Sequence, residues 1–325
     1  MSGLTLRRGA LALALLLVPV GGHGDASAFD SEIMDSVVSV LPVWPGHPQG
    51  GTPELPPGVA PEASAVAIAP EGYLATAYHA VANAESIDVR LADGRLRPAE
   101  LVGVDSDSDI ALLKIDTDLP VPMLADVLEM DMDLGDPVCA VGNAFGLGLS
   151  VTCGVVSALR RTSTGFNAIE DFIQTDAAIN PGMSGGALVD DEGRLAGLVS
   201  AIFASDADTN AGVNFAVSAK LLRRVSMDLQ QHGEVLRGNS GLRVRDPSRE
   251  EQVLAAGAVV SRVTEESPAA RAGLREGDLI VEIAGRPIAS AADVNTAVHL
   301  HRPQESFYIT FRRGEVRETV TLTLQ

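Results

Sequence analysis

The sequence predicts a mainly β chain, an antiparallel barrel or sandwich followed by a small α+β unit. From Ala63 onward, short apolar and β-branched runs alternate with turn residues, the pattern of packed antiparallel strands. A single helical-period segment, Ala219–Val235, then places Leu221, Leu222, Val225 and Leu229 on one face. Beyond the linker-like Arg237–Gly241 the charge balance changes. The chain carries a net charge of −19, yet residues 240–325 hold 12 acids and 11 bases, so nearly all the acidity lies before them.

The elements follow in order. Arg7 and Arg8 precede the apolar run Ala10–Val20, and Ala26-Ser27-Ala28 supplies a small-x-small cleavage site. Residues 1–28 thus read as an export leader, too short in its apolar run for a membrane span, which needs about 20 residues. The mature chain is expected in a periplasm or outside the cell. Ser31–Val40 is amphipathic, and Pro42 to Pro61 is expected as a long Pro/Gly-rich loop. Strands are expected at Ala65–Ile68, Ile87–Leu91, Ile110–Ile115, Val138–Val141, Val151–Val156, Gly186–Val189 and Leu195–Ala201. Asp93-Gly94 and Asp191-Glu192-Gly193 are hairpin turns between them. In the last unit, Gly257–Val263 reads as a strand, Ser267–Leu274 as a short helix and Gly277–Gly285 as a strand and turn. Ser290–Asp293 is a capping box opening a helix to about Leu300, and Ser306–Arg312 and Val316–Leu324 are closing strands.

An acidic chain of this kind repels nucleic acid and anionic lipid, so neither is an expected partner. Cys139 and Cys153 are the only cysteines. If their two strands pair around the turn-rich Asn143–Gly148, the thiols face each other and an oxidising compartment permits a disulfide; a one-residue slip leaves two free buried thiols instead. No histidine or further cysteine lies at ligand spacing, so no metal is expected.

The chemistry concentrates in Asn180-Pro181-Gly182-Met183-Ser184-Gly185-Gly186. Glycines let main-chain N–H groups converge beside a serine, and a serine becomes a nucleophile when a base takes its proton. His79, where an apolar segment gives way to a small-residue turn, is the candidate base. Asp109, at the mouth of the buried run Ile110–Ile115, is the candidate carboxylate to orient it. Asp105 and Asp107 read as solvated turn residues.

The stretches TAYHAV, DSDIALLKI, AVGNAFGLGLSVTCGVVSALRR, FIQTDAAINPGMSGGAL and GVNFAVSAK closely resemble the HtrA (Deg) family of envelope serine proteases, and SPAARAGLREGDLIVEIAGRPI resembles the PDZ domain that follows them. The order His79, Asp109, Ser184 is that of the chymotrypsin type. The resemblance implies two six-stranded barrels at about 33–120 and 121–218 within a protease domain of residues 29–239, then one PDZ domain at 240–325. It implies a triad of His79, Asp109 and Ser184, an oxyanion hole from the N–H groups of Gly182 and Ser184, and an aliphatic specificity pocket from Ile179, Ala201 and Ile202. In the PDZ unit, Gly241 and Leu242 would hold a peptide carboxylate while Val294 and Val298 face the peptide. The family assembles as trimers through an N-terminal segment, for which Phe29 and Trp44 are available, and uses no cofactor. Its PDZ unit or peptide ligand adjusts loops around Ser163–Asp171.

The chain departs from the family pattern at Met183, where asparagine is usual, at Ala63-Ser64-Ala65, where the family is glycine-rich, and at Ser240, where an apolar residue usually precedes the carboxylate-loop glycine. The expected function is a secreted, ATP-independent serine endopeptidase acting on unfolded or damaged envelope proteins and recognising peptide C-termini. The alternatives are a regulatory protease for a stress-signalling membrane protein and a chaperone with a silent protease site.

Overall fold

In the computed structural model, residues 31–45, 62–121, 132–204, 210–252 and 256–325 are described. The leader, Phe29 and most of the Pro/Gly-rich loop lie outside them. Strands β1 (Val37–Val43), β2 (Ala63–Ala69), β3 (Tyr73–Ala77), β4 (Ser86–Arg90), β5 (Leu96–Asp105) and β6 (Ile110–Lys114) close a barrel in the order β1-β2-β3-β6-β5-β4. Strands β7 (Pro137–Gly142), β8 (Ser150–Arg161), β9 (Phe172–Thr175), β10 (Ala187–Asp190), β11 (Leu195–Ala204) and β12 (Asn210–Ser218) close a second barrel with the same connectivity. Closure leaves neither sheet with a free edge.

Ser31–Val40 is not one amphipathic element. A 3-10 turn at Ser31–Ser36 leads into β1, and Pro42 belongs to that strand, opposite Ile87, rather than to the loop. Val37, Val38 and Val40 are all buried. Such a strand shows no alternation for a sequence reading to find.

Cys139 and Cys153 face each other across β7 and β8 and are disulfide-bonded. Ala219–His232 is the expected helix, capped by the Ser218 side chain. It stops at Gly233, whose φ of 75° gives the left-handed C-cap, so Val235 lies outside it. Its apolar face covers both barrels: Leu221, Leu222, Val225 and Leu229 share a core cluster with Ile110, Leu112, Phe172 and Leu198.

The last unit is a sheet of β13 (Leu242–Arg245), β14 (Ala258–Val263), β15 (Leu279–Ile283), β16 (Arg286–Pro287), β17 (Ser306–Arg313) and β18 (Val316–Thr323), with a helix at Ala291–His299 opened by the Ser290/Asp293 capping box. It has its own core around Ile280, Ile283, Ile309 and Phe311. It meets the barrels through Leu300, which joins the core cluster under the Ala219–His232 helix, and through polar contacts. Thr162 Oγ1 donates to Asp293 Oδ1 at 2.7 Å, Thr296 Oγ1 to the Glu170 carbonyl at 2.8 Å, and Arg302 Nε to the fully buried Asp228 at 2.8 Å. Among the described residues no helix is long and apolar enough to cross a membrane.

The disulfide spans 14 residues. Loop closure of that size constrains the unfolded chain by about 3 kcal/mol. The Cys139→Ser/Cys153→Ser protein is therefore expected to lose up to about that much stability in urea unfolding. Reductant should lower the parent to the same curve; identical parent and variant curves under oxidising conditions would show that the bond adds nothing.

Candidate active site

The site forms where loops from the two barrels meet, in a cleft of about 610 Å³ lined by Tyr78, His79, Asp109, Phe166, Ile179 and Ser184 among others. His79 sits in the single helical turn Tyr78–Val81 directly after β3. Asp109 ends the turn between β5 and β6 at a φ of 59°, a conformation non-glycine residues rarely adopt. That geometry lets the carboxylate engage His79 twice. Oδ1 accepts the His79 main-chain N–H at 2.8 Å and Oδ2 faces ring Nδ1 at 2.7 Å. The Asp109 carbonyl also accepts the Tyr78 N–H at 3.0 Å. A carboxylate oxygen at Nδ1 selects the tautomer with its proton there, leaving Nε2 as the lone-pair nitrogen.

Burial alone depresses the basicity of His79, but the hydrogen bond and charge of Asp109 outweigh it and hold the imidazole above the ordinary histidine value. The side chain is 54% exposed, so solvent reaches it.

Ser184 Oγ donates to the Ser200 carbonyl at 3.2 Å. Ser200 in turn donates its hydroxyl to Asp109 Oδ2 at 3.3 Å and is itself buried. Ser200 was not singled out in the sequence, although a serine inside the apolar run Leu195–Ala201 is a polar signal in a core strand.

The loop before Ser184 is held by close backbone packing. Gly182 has a φ of 95°, and a β-carbon there would collide with the Asn143 carbonyl oxygen. Gly185 has a φ of 85°, and a β-carbon there would meet the Ser64 carbonyl. Ser64 is the anchor from the first barrel. Its N–H donates to the Ser184 carbonyl at 3.0 Å, and its hydroxyl donates to the Gly182 carbonyl and accepts the Asn143 N–H, both at 2.8 Å. Among the described residues, the N–H groups of Gly182 and Ser184 donate to no protein acceptor. Met183 is wholly buried with Ile179, Val138 and Ala140 in the second barrel's core, its side chain filling space there.

Residues 63–198 match the trypsin-like peptidase domain family and residues 233–324 the PDZ domain family. The periplasmic serine endoprotease DegP of Escherichia coli (strain K12) is 40% identical over 262 residues, 79% of this chain and 55% of that protein. The periplasmic pH-dependent serine endoprotease DegQ of the same strain is 37% identical over 289 residues, 87% of this chain and 61% of that protein. The chain thus spans little more than half the length of the curated relatives it matches. Among solved structures, the HtrA-type protease AlgW with tripeptide aligns at a TM-score of 0.68 with 37% identity, over 90% of this chain and 94% of that one. This chain belongs to the HtrA family of serine proteases.

Of the aliphatic pocket residues, Ile179 is buried and lines the cleft. Ala201 and Ile202 follow Ser200 on β11, opposite Phe215 and Asn214, and their side chains lie outside the described residues. Two residues beyond the HtrA resemblance shape the same cleft. Phe166 lines it and packs against Phe172 and Phe215. Glu170, buried, gathers its loop: its carboxylate accepts the N–H groups of Thr164, Gly165, Phe166 and Asn167 and the Thr164 hydroxyl. No local signal in the sequence marked this carboxylate. The same loop braces the turn that carries Asp109, through Asn167 Nδ2 to the Ser108 carbonyl at 3.3 Å and the Ile169 N–H to the Asp107 carbonyl at 2.8 Å. Asp105 is not a solvated turn residue: it is buried and accepts Arg237, as Asp107 also does.

In the PDZ unit, Leu242, Val294 and Val298 line one groove of about 290 Å³ with Ser240, and the protease residues Asp107 and Ile169 form part of its wall. Gly241 lies beside it at a φ of 75°. The main-chain donors expected for a peptide carboxylate are engaged within the loop: Gly241 N–H donates to Asn239 Oδ1 at 2.8 Å and Leu242 N–H to Ser240 Oγ at 3.2 Å.

Two outcomes follow. Ser64→Ala removes one buried donor and strands the Asn143 N–H, an effect of about 1–3 kcal/mol. Steady-state kinetics are expected to show kcat lower by about 10- to 100-fold with little change in KM; a change confined to KM would contradict a role in holding the Ser184 loop. Ser240→Ala frees the Leu242 N–H, so a fluorescent peptide ending in a free carboxylate should bind about fivefold more tightly by anisotropy. Weaker binding would show that the Ser240 hydroxyl itself serves the ligand.

Proposed function

We propose that this HtrA-family chain is an exported, ATP-independent serine endopeptidase that cuts unfolded or damaged envelope proteins. The observation that supports it most is the His79 imidazole held by Asp109 in the cleft that also receives Ser184. On substrate binding the Ser184 hydroxyl turns from the Ser200 carbonyl to His79 Nε2, which takes its proton as Oγ attacks the scissile carbonyl. The unpaired N–H groups of Gly182 and Ser184 stabilise the oxyanion. His79 then returns the proton to the leaving amine, and a water activated by the same nitrogen releases the acyl group. Ile179, with Ala201 and Ile202, favours a small aliphatic side chain such as Val or Ala before the cleaved bond. Residues 1–28 are removed on export, and three subunits associate. Trp44, offered by the sequence as an assembly contact, donates its indole N–H to the Ala82 carbonyl at 3.2 Å, beside the turn that carries His79.

A regulatory reading, cleavage of one membrane-protein target in a stress signal, draws support from the PDZ helix. Thr296 and Asp293 bond the segment 162–170 that braces the Asp109 turn, and Ile169 lies in the groove wall. A peptide seated in that groove would bear on the cleft through this segment.

The test is labelling of the purified chain with a fluorophosphonate probe beside Ser184→Ala, across pH and with C-terminal peptides. Labelling is expected for the parent only, rising with pH along a limb centred above the ordinary histidine value, because the base acts unprotonated and Asp109 raises its pKa. Asp109→Asn leaves burial as the dominant influence, so the limb moves to lower pH and the rate falls by about 10,000-fold. Labelling of Ser184→Ala at the parent rate would overturn the assignment. Peptide-dependent labelling would favour the regulatory reading, and aggregation suppressed without labelling would favour a silent-site chaperone.

A further inference from the structure

We propose that the hollow between the second barrel and the β15–β16 turn of the PDZ unit is a binding site for a small oxyanion carrying two or more negative charges. The cavity has a volume of about 310 Å³ and is lined by Arg160 from the end of β8, Lys220 from the first turn of the helix at Ala219–His232, and Arg286 from β16. Asp171 is the one acidic residue in its wall among the described residues. Among the described residues, three cations face one carboxylate there, in a chain whose net charge is −19.

Arg286 carries the argument. Its side chain is only 11% exposed. Nη1 lies 2.7 Å from Asp171 Oδ1, but without the alignment of a hydrogen bond, so that oxygen has no hydrogen-bond partner. Asp171 Oδ2 is taken by the Ser218 hydroxyl at 2.7 Å. Nε and Nη2 of Arg286 are buried and have no acceptor among the described residues. A buried donor without an acceptor is destabilising, and more so when charged. Turned toward the cavity, two such donors on one rigid fork would match the paired oxygens of a phosphate or carboxylate group.

Arg160 and Lys220 are exposed at the rim, where they supply long-range attraction and close over a bound anion. The volume lies at the small end of ligand sites, as a small anion requires. None of these residues lines the cleft of His79 and Ser184 or the groove of Leu242 and Val298. A dianion here would touch both units at once, Arg160 and Lys220 on one side and Arg286 on the other. Its occupancy would therefore add to the Thr162–Asp293 and Thr296–Glu170 contacts that join them.

The experiment is isothermal titration of the full chain carrying Ser184→Ala, which prevents self-cleavage, with inorganic pyrophosphate and separately with malonate. Sodium chloride at matched ionic strength is the control. One saturable site per chain is expected, with a Kd below about 1 mM for at least one of the two anions. Stronger binding of pyrophosphate assigns phosphate chemistry to the site, and stronger binding of malonate assigns carboxylate chemistry. Arg286→Gln should abolish saturation. Arg160→Gln and Lys220→Ala, both at exposed positions that leave the fold intact, should each weaken binding about fivefold. Heats that do not saturate, or an affinity unchanged in the Arg160→Gln/Lys220→Ala double variant, would overturn the proposal, and that pair decides the matter even if Arg286→Gln fails to fold.

Discussion

The cleft depends on one joint, the hydrogen bonding of Ser64 on β2 to the loop that ends at Ser184. The proposed base and orienting carboxylate come from the first barrel and the proposed nucleophile from the second, so their separation is set wherever the barrels are fastened. Ser64 fastens them within one residue of the chemistry. Its N–H takes the carbonyl of Ser184 itself, and its hydroxyl holds the Gly182 carbonyl while accepting from Asn143. Gly182 and Gly185 are then obligatory, because each brings main chain against main chain where a β-carbon has no room. Asn143 extends the joint. Its amide donates to Glu62, which also accepts Arg90 of β4, so the brace reaches past β1 to β4.

Around this joint the site is built in two grades. His79 and Asp109 are tightly coupled, with both carboxylate oxygens committed and the backbone of Asp109 held in a rare conformation. Ser184 is looser, its hydroxyl resting on the Ser200 carbonyl. Catalytic hydrogen bonds commonly tighten only when substrate is bound. Thus the proposed base is pre-set by folding, while the alignment of Ser184 is left to be completed by what occupies the cleft.

Much of this was legible in the sequence, and the reasons differ from residue to residue. That His79, Asp109 and Ser184 would share one cleft was readable from their setting beside small or turn residues and from their order along the chain. The two cysteines were readable as a conditional pair, since they oppose each other only if the hairpin register holds, and it does. β1 was hidden because a strand buried on both faces has no period of two and because Pro42 imitates a loop. Ser64, Ser200 and Glu170 were invisible for a common reason: each acts on main-chain or side-chain atoms remote in sequence or on a loop whose shape no propensity encodes. Asp105 was misread because an acid in an Asp-Ser-Asp-Ser-Asp run looks solvated until a distant Arg237 arrives to bury it.

The PDZ groove shows how far local self-satisfaction alters a reading taken from resemblance. Its main-chain donors at Gly241 and Leu242 already have acceptors in Asn239 and Ser240, so a peptide carboxylate must exchange bonds rather than fill vacancies. Such an exchange yields little net enthalpy, and on the proposed reading affinity would come from burying side chains against Val294 and Val298. That burial takes place beside Ile169, whose N–H holds the Asp107 carbonyl two residues from Asp109. Coupling between groove and cleft is reciprocal by thermodynamic necessity. A ligand that binds weakly through its carboxylate but displaces Ile169 would therefore move the cleft more than one that binds tightly and leaves that contact in place.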